Sequence, residues 1–524
     1  MTSGTPARSD PADFVSRPPV SAAGYLGTAW QALTRSPRAR HLERALVTCN
    51  RKPQWGLGIT LLLLAIQIGP HWYPECDASI YLSSARAMAQ GRDLQYVDSP
   101  LDVGLPGYPM MLAPAFWFGN RPFLLLSLIN WLIAAAGTIG VYLWARRRCP
   151  SAAVLITMLS MLNSATLLYY RRSLKELAVL TVLIWTGLAL QRMCDQRRRP
   201  GMVAVALTSL VLGPVLVLIR YTGILLFAGF LLATCLDFSQ RSVARWQRIA
   251  LALLLVTPAV LFTGNQLARQ RELAAQRQLV NYQDYFSQGI SEFDRHYLEG
   301  LRLQISSIGR ITIPGMFKAY ARSGHWLNIN TCVYSLWLIL IGRGWWHLAR
   351  HKDVLALALP LFVAAYVIWP FDQGPRFLVP MAPVLIACTW LGACPLFRNR
   401  HTVLALLLVG HVTVSTAYWV ATDRPRARQT HQQWTTVETL ASTLKDNRQP
   451  AAMSGPIEMH WMLQLAYDQR IRPYHADRPV GGDLQWIIQP QTRPGRGGFV
   501  PYRKIGDLVV WTRVQPAQVP GPSP

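Results

Sequence analysis

Charge is scarce in this chain, and the charged residues that stand where it is scarcest are those able to do chemistry. Asp77 follows Tyr73-Pro74-Glu75-Cys76 and precedes Tyr81, Ala85 and Met88, which fall at helical spacing. Pro74 marks a helix start. Asp77 is therefore expected at or near a helix N-terminus, where the partial positive charge of the backbone favours its ionised form. Such a carboxylate can accept a proton from a hydroxyl within hydrogen-bond reach. Arg220, Arg376 and Lys175 form a second set, each beside a long apolar run. A guanidinium can bond a phosphate through two parallel contacts. Plainer uses stay open: Asp77 as a helix cap, Arg220 and Arg376 as side chains snorkelling to an interface, Arg171, Arg172 and Lys175 as surface charge, and Glu176 as the i+4 partner of Arg172.

The elements that must position these residues are apolar helices. Hydrophobic residues make up 51% of the 524-residue chain and charged residues 15%, against roughly 25% in a soluble domain. About eleven runs read as membrane spans, several shorter than the usual ~20 residues: about Trp55–Gly69, Pro122–Trp144, Ala152–Tyr169, Leu177–Leu190, Val203–Ile219, Gly223–Leu236, Ile249–Gly264, Trp326–Ile341, Val354–Trp369, Phe377–Leu396 and Val403–Val420. The net charge of +26 comes largely from short basic blocks between these runs. That placement argues against nucleic-acid binding and for the positive-inside bias of cytoplasmic loops. It puts the N-terminus in the cytoplasm and the C-terminus outside, in a cell's inner (plasma) membrane. Asp77, Lys175, Arg220 and Arg376 then share the outer face, where basic residues are depleted and their presence asks for a reason.

Three regions follow. Residues 1–52 are rich in Pro, Ser, Ala and Arg, lack a long apolar run and read as a disordered cytoplasmic segment rather than a cleavable signal. Residues 53–420 form the membrane domain, with outer loops 71–120 and 265–325. Within the second loop, apolar patches among Arg302, Arg310 and Lys318 suggest a segment lying in the membrane interface or a loop packing on the bundle. Residues 421–524 turn polar, with a helix over about Gln432–Leu444 and strands at Asp483–Ile488 and Asp507–Arg513. They read as a small α/β domain outside the membrane. The eight cysteines form no CxxC pair, so neither a disulfide scaffold nor a zinc site is expected.

The stretch Pro74-Glu75-Cys76-Asp77-Ala78-Ser79-Ile80-Tyr81-Leu82, with Ala85-Arg86 and Gly91 after it, resembles the first outer loop of GT-C glycosyltransferases. So do the later Leu105-Pro106-Gly107-Tyr108-Pro109 segment, the Lys175-Glu176 pair and Gly374-Pro375-Arg376-Phe377-Leu378-Val379-Pro380. The resemblance is nearest to the bacterial branch that holds lipid A aminoarabinose transferase, rhizobial core sugar transferases and protein O-mannosyltransferases. It implies a mainly α, polytopic transmembrane bundle of GT-C type with amphipathic outer loops and a small C-terminal α/β domain. It also implies inverting transfer of a sugar from a polyprenyl-phosphate donor to a hydroxyl of an envelope acceptor. Asp77 would be the base, with Glu75 as second acid. Arg376, Arg220 and Lys175 would hold the donor phosphate, and Tyr81, Tyr108 and Glu176 would line the substrate groove. Relatives often carry two acids in this loop; here Ala78 follows Asp77 and Glu75 precedes it. No cofactor is required by this pattern, and a divalent cation such as Mg or Mn is left open without support. Besides donor and acceptor, the expected partners are membrane lipids.

Two other classes share this outline. A transporter or flippase for lipid-linked saccharides would need charge near midspan and repeated halves, whereas the charges here sit at span ends. A polymerase or ligase would also have many spans and a large outer loop; the early Asp loop followed by Pro-Gly-Tyr-Pro favours transfer instead.

Overall fold

Among the described residues the long apolar runs form helices, because a backbone removed from water must satisfy its own hydrogen bonds. The computed structural model describes residues 50–73, 75–92, 95–96, 99–100, 105–195, 202–236, 293–314, 329–368, 374–393, 400–445, 451–453, 471–473, 486–490, 499–505 and 507–513, with scattered positions besides. The N-terminal region, most of the predicted seventh span, and His325 and Trp326 lie outside these residues.

The helices run α1 Pro53–Ala65, α2 Cys76–Ala89, α3 Gly107–Leu112, α4 Phe123–Arg148, α5 Ala153–Leu162, α6 Ser164–Arg171, α7 Glu176–Asp195, α8 Met202–Ile219 and α9 Ile224–Cys235. After these come α10 Phe293–Thr312, α11 Ile329–Arg350, α12 Val354–Val367, α13 Ala382–Ala393, α14 Arg400–Tyr418 and α15 Arg424–Lys445. Among the described residues four helical segments are long and apolar enough to cross a membrane, 123–148, 176–195, 374–393 and 401–444. The α5–α6 pair, bent by 47°, makes a fifth if it is one span, and shorter apolar helices cover 53–65, 210–219, 221–235 and 354–367. Every predicted span except the seventh falls on one or two of the helices.

The third predicted span is broken rather than continuous. Asn163 leaves helical geometry between α5 and α6, and its side chain accepts from the Thr166 amide at 2.8 Å, capping α6. Asp353 caps α12 by accepting from the Ala356 amide at 2.9 Å. Its other oxygen accepts from Arg148 Nε at 2.6 Å and Trp144 Nε1 at 3.1 Å, tying α12 to α4. Helices α11 and α13 touch backbone to backbone. A Cβ at Gly344 would fall 1.8 Å from the Cys388 carbonyl, and one at Gly392 only 1.9 Å from that of Leu340. Small residues permit such approach where lipid supplies no hydrophobic drive between helices.

Helix α14 passes through one π turn, Trp419–Asp423, into α15. Helix α15 is pinned to the N-terminal end of α4. Trp434 stacks with Trp72 and Phe123 at centroid separations of 6.2 and 5.6 Å, and Glu438 pairs with Arg121. A five-stranded sheet follows in the order β4-β3-β5-β7-β6, with β3 Ala451–Met453, β4 Ile471–Pro473, β5 Trp486–Pro490, β6 Phe499–Ile505 and β7 Leu508–Arg513. Strands β4, β3 and β5 are parallel; β5-β7 and β7-β6 are antiparallel. The first outer loop contributes a two-stranded ribbon, β1 Gln95–Tyr96 and β2 Ser99–Pro100. The α/β reading of the C-terminal region thus holds, with three strands more than its sequence suggested.

Candidate active site

Four separate stretches of chain bring the singled-out residues to one place. Asp77 lies in the first turn of α2, as its spacing predicted, with Glu75 at the N-cap. The Glu75 side chain makes no cap hydrogen bond. Lys175 and Glu176 open α7; Arg220 follows α8; and Arg376 lies in the tight 3-10 helix Gly374–Met381 that leads into α13.

Arg376 is the hub. Its Nη1 reaches Asp77 Oδ2 at 2.5 Å, its Nε bonds Glu176 Oε1, and its Nη2 stands 3.5 Å from the Tyr81 hydroxyl. One planar fork thereby fixes the two acids relative to each other, a use for which a point-charge lysine has no equivalent. The acids differ in setting. The Asp77 side chain is 36% exposed and open to an incoming hydroxyl, whereas Glu176 is fully buried.

Arg220 approaches the same Glu176 oxygen at 3.7 Å. It lies over the Phe377 ring at 4.3 Å and near the Tyr366 ring at 5.8 Å, a cation–π seat that holds the guanidinium in an apolar surround. Its Nη1 is buried with no hydrogen-bond partner among the described residues, and Glu176 Oε2 is likewise unpartnered. Buried polar atoms without a hydrogen bond are uncommon, because leaving them unsatisfied is costly.

Lys175 sits over the Tyr81 ring at 5.4 Å. Burial and the neighbouring Arg220 and Arg376 charges lower its pKa to about 7, against the opposing pull of Glu176 and Asp77. The Tyr81 ring meets Tyr108 edge-on at 5.3 Å. Tyr108 is itself fully buried, and burial raises its phenol pKa. Of the residues expected to act together, Asp77, Glu176, Lys175, Arg220, Arg376, Tyr81 and Tyr108 are thus joined by direct contacts, and Glu75 is not among them.

Glu75 takes a different partner from its neighbour: it accepts from Arg172 at 2.8 Å. This also removes the plain reading of Glu176, which turns to Arg376 and Arg220 and not to Arg172. Arg171, open to a reading as surface charge, is buried against Asp423 at 3.1 Å and bonds Gln67 and Ser415. His71 packs against His431 at 4.9 Å, at the edge of α15 and away from the hub.

Sequence reasoning missed three contributors. Arg310 lies on α10, the helix it placed at the interface. That helix packs against the 3-10 segment carrying Arg376. Gly374 has a left-handed φ of +58°; a Cβ there would lie 3.6 Å from Arg310 Nη1 and 3.9 Å from the Tyr169 hydroxyl. Arg310 therefore faces the cluster. The helical amphipathicity of 293–312 was a legible signal, but its direction was not. Tyr169 and Asn130 carried no signal at all, since each looks like one more polar residue in an apolar run. Among the described residues no group of three or more His, Cys, Asp or Glu could hold a metal ion.

No protein-family model matches the chain, and no curated protein sequence does. Solved structures do. ArnT from Cupriavidus metallidurans bound to undecaprenyl phosphate superposes with a TM-score of 0.57 at 11% identity, covering 90% of this chain and 99% of that one. The same protein in its apo state gives 0.51 at 11% identity, covering 89% and 98%. The archaeal oligosaccharyltransferase AglB from Archaeoglobus fulgidus, in complex with an inhibitory peptide and a dolichol-phosphate, gives 0.50 at 10% identity, covering 84% of this chain and 70% of that one. This chain has the fold of the GT-C glycosyltransferases.

Proposed function

We propose that the chain is a multi-pass membrane glycosyltransferase that moves a sugar from a polyprenyl-phosphate carrier to a hydroxyl of an envelope acceptor, with inversion. The observation that carries this reading is the Arg376 fork joining exposed Asp77 to buried Glu176, with Lys175 and Arg220 alongside. It sets one accessible carboxylate against a group of cations at the outer ends of apolar helices. Two of the similar structures hold undecaprenyl phosphate and a dolichol-phosphate, which supports a lipid-linked donor.

In the mechanism we infer, Asp77 accepts the proton of the acceptor hydroxyl as the hydroxyl attacks the anomeric carbon. The bond from that carbon to the phosphate oxygen breaks, and its electron pair leaves with the carrier. Charge developing on the departing phosphate is met by Lys175, by Arg220, whose buried Nη1 makes no hydrogen bond among the described residues and suits a phosphate oxygen, and by Arg376. Glu176 holds the two arginines in place. Glu75, tied to Arg172, is the second acid of the loop. Tyr81 and Tyr108 line the groove. No cofactor is needed for these steps. The site faces the outside of the plasma membrane, with the N-terminus cytoplasmic and the C-terminal domain extracytoplasmic.

The test is transfer of labelled sugar from polyprenyl phosphate to membrane acceptors by the purified protein. Asp77→Asn should bind undecaprenyl phosphate normally and lose transfer by a factor of about 100 or more. Equal transfer by wild type and variant would remove Asp77 from the mechanism.

A further inference from the structure

The cations of the site stand on strand-free turns that need holding, and one buried chain of hydrogen bonds does so. The turn 172–175, between α6 and α7, closes α6 in a Schellman arrangement. The Leu174 amide bonds the Tyr169 carbonyl at 3.3 Å and the Ser173 amide bonds that of Tyr170, also at 3.3 Å. The left-handed residue this motif requires is Ser173, with φ +50°, where glycine is customary. Arg172, Lys175 and Glu176 flank this strained residue directly.

Asn130 reaches the turn from inside α4. Its Nδ2 donates to Ser173 Oγ at 3.2 Å, and its Oδ1 accepts from the Tyr108 hydroxyl at 2.9 Å. Asn130 lies about two turns below the outer start of a membrane helix and is buried. A polar side chain at such a depth is costly unless it is used. Tyr108 is held in turn by its neighbour. A Cβ on Gly107 would lie 2.7–2.8 Å from the backbone of Leu218 and Ile219, the two residues before Arg220. The Tyr108 ring also buttresses Tyr81, which carries Lys175 on its face and meets Arg376 at its hydroxyl.

We propose that Asn130 is a positioning residue for carrier binding: the Tyr108–Asn130–Ser173 relay locks the turn that presents Lys175 to the phosphate and Glu176 to the two arginines, in register with Arg220. This gives the Pro106-Gly107-Tyr108-Pro109 segment a task. It touches the backbone beneath Arg220 and, through Asn130, the turn carrying Lys175, so two cations from distant parts of the chain are set by one short helix. The inference rests on the reading of the site given above.

The experiment measures binding of undecaprenyl phosphate, with no sugar attached, to the full-length protein in lipid nanodiscs, together with its Tm. Asn130→Ala should bind about fivefold more weakly, the loss expected of one net hydrogen bond, and unfold at lower temperature. Ser173→Gly permits the left-handed turn without a tether. Asn130→Ala combined with Ser173→Gly should therefore recover Tm while carrier affinity stays low. Tyr108→Phe, which keeps the ring against Tyr81 and removes only the hydroxyl, should reproduce the affinity loss in part and carries the test if Asn130→Ala does not fold. Unchanged affinity in Asn130→Ala and Tyr108→Phe would overturn the positioning role. So would recovery of affinity along with Tm in the double variant, which would mark the relay as stabilising only. Absence of carrier binding by the wild type would overturn the glycosyltransferase reading itself, and this inference with it.

Discussion

Arg376 Nη1 lies 2.5 Å from Asp77 Oδ2 across a separation of nearly three hundred residues. The same guanidinium bonds Glu176, so the exposed acid and the buried acid are oriented by one rigid plane. Catalysis by a carboxylate depends on such placement before it depends on pKa.

Arg376→Lys should keep the charge and lose the geometry. A lysine cannot serve Asp77, Glu176 and Tyr81 at once. The expected loss in kcat is about thirtyfold, equivalent to ~2 kcal/mol for a charge-assisted hydrogen bond. Steady-state transfer assays check it, and a variant with wild-type kcat would refute the orienting role.

Lys175 should make carrier binding depend on pH. With its pKa lowered to about 7, it carries its charge below that value and loses it above. Affinity for undecaprenyl phosphate should therefore fall as pH rises through about 7. Lys175→Arg, which stays charged, should show a flat profile over the same range. The sign for stability is the opposite: between about 7 and 10.5 the unfolded chain binds the extra proton, so this residue makes the fold more stable as pH rises. Titrations of binding and of Tm from pH 6 to 9 read both.

Arg310 forms no hydrogen bond or ion pair among the described residues, and its Nη1 and the Tyr169 hydroxyl both border the Gly374 turn. Its charge is available to a phosphate. Arg310→Ala should weaken carrier affinity about tenfold, in the range of a charge-assisted contact, with Tm unchanged within a degree or two. Loss of Tm without loss of affinity would assign it to helix packing instead.

The Arg171–Asp423 pair joins α6 to the π turn, with both side chains 4% exposed. Removing one partner strands a buried charge, at a cost of about 3–5 kcal/mol. Arg171→Met should lower thermal stability sharply while the folded fraction still binds carrier. Arg171→Met with Asp423→Leu should recover much of the loss, since a buried pair replaced by apolar side chains is often near neutral.

Much of this site could be read from the chain because membrane sequence makes charge conspicuous. Asp77, Arg220 and Arg376 stand out at the outer ends of apolar runs, where the positive-inside bias leaves cations unexplained. Their mutual contacts could not be read, since Glu176 and Arg376 are 200 positions apart and nothing local couples them. Asn130 and Ser173 were invisible for a related reason: a single hydrogen bond across the bundle leaves no periodicity. The break at Asn163 was within reach, because Asn before Ser-Ala-Thr is an N-cap pattern, but the surrounding apolar run masked it. The three-residue strands β3 and β4 are too short for alternation to show.

The π turn at Trp419–Asp423 has a geometric consequence for everything beyond it. An α-helix advances about 100° per residue, so the one extra residue that the wider turn accommodates sets the rotation of α15 about its own axis. Excising a single residue there would swing Trp434 and Glu438 away from Trp72, Phe123 and Arg121 by about a quarter of a revolution or more. The turn thus works as an angular index: it decides which side of α15 meets Trp72, Phe123 and Arg121.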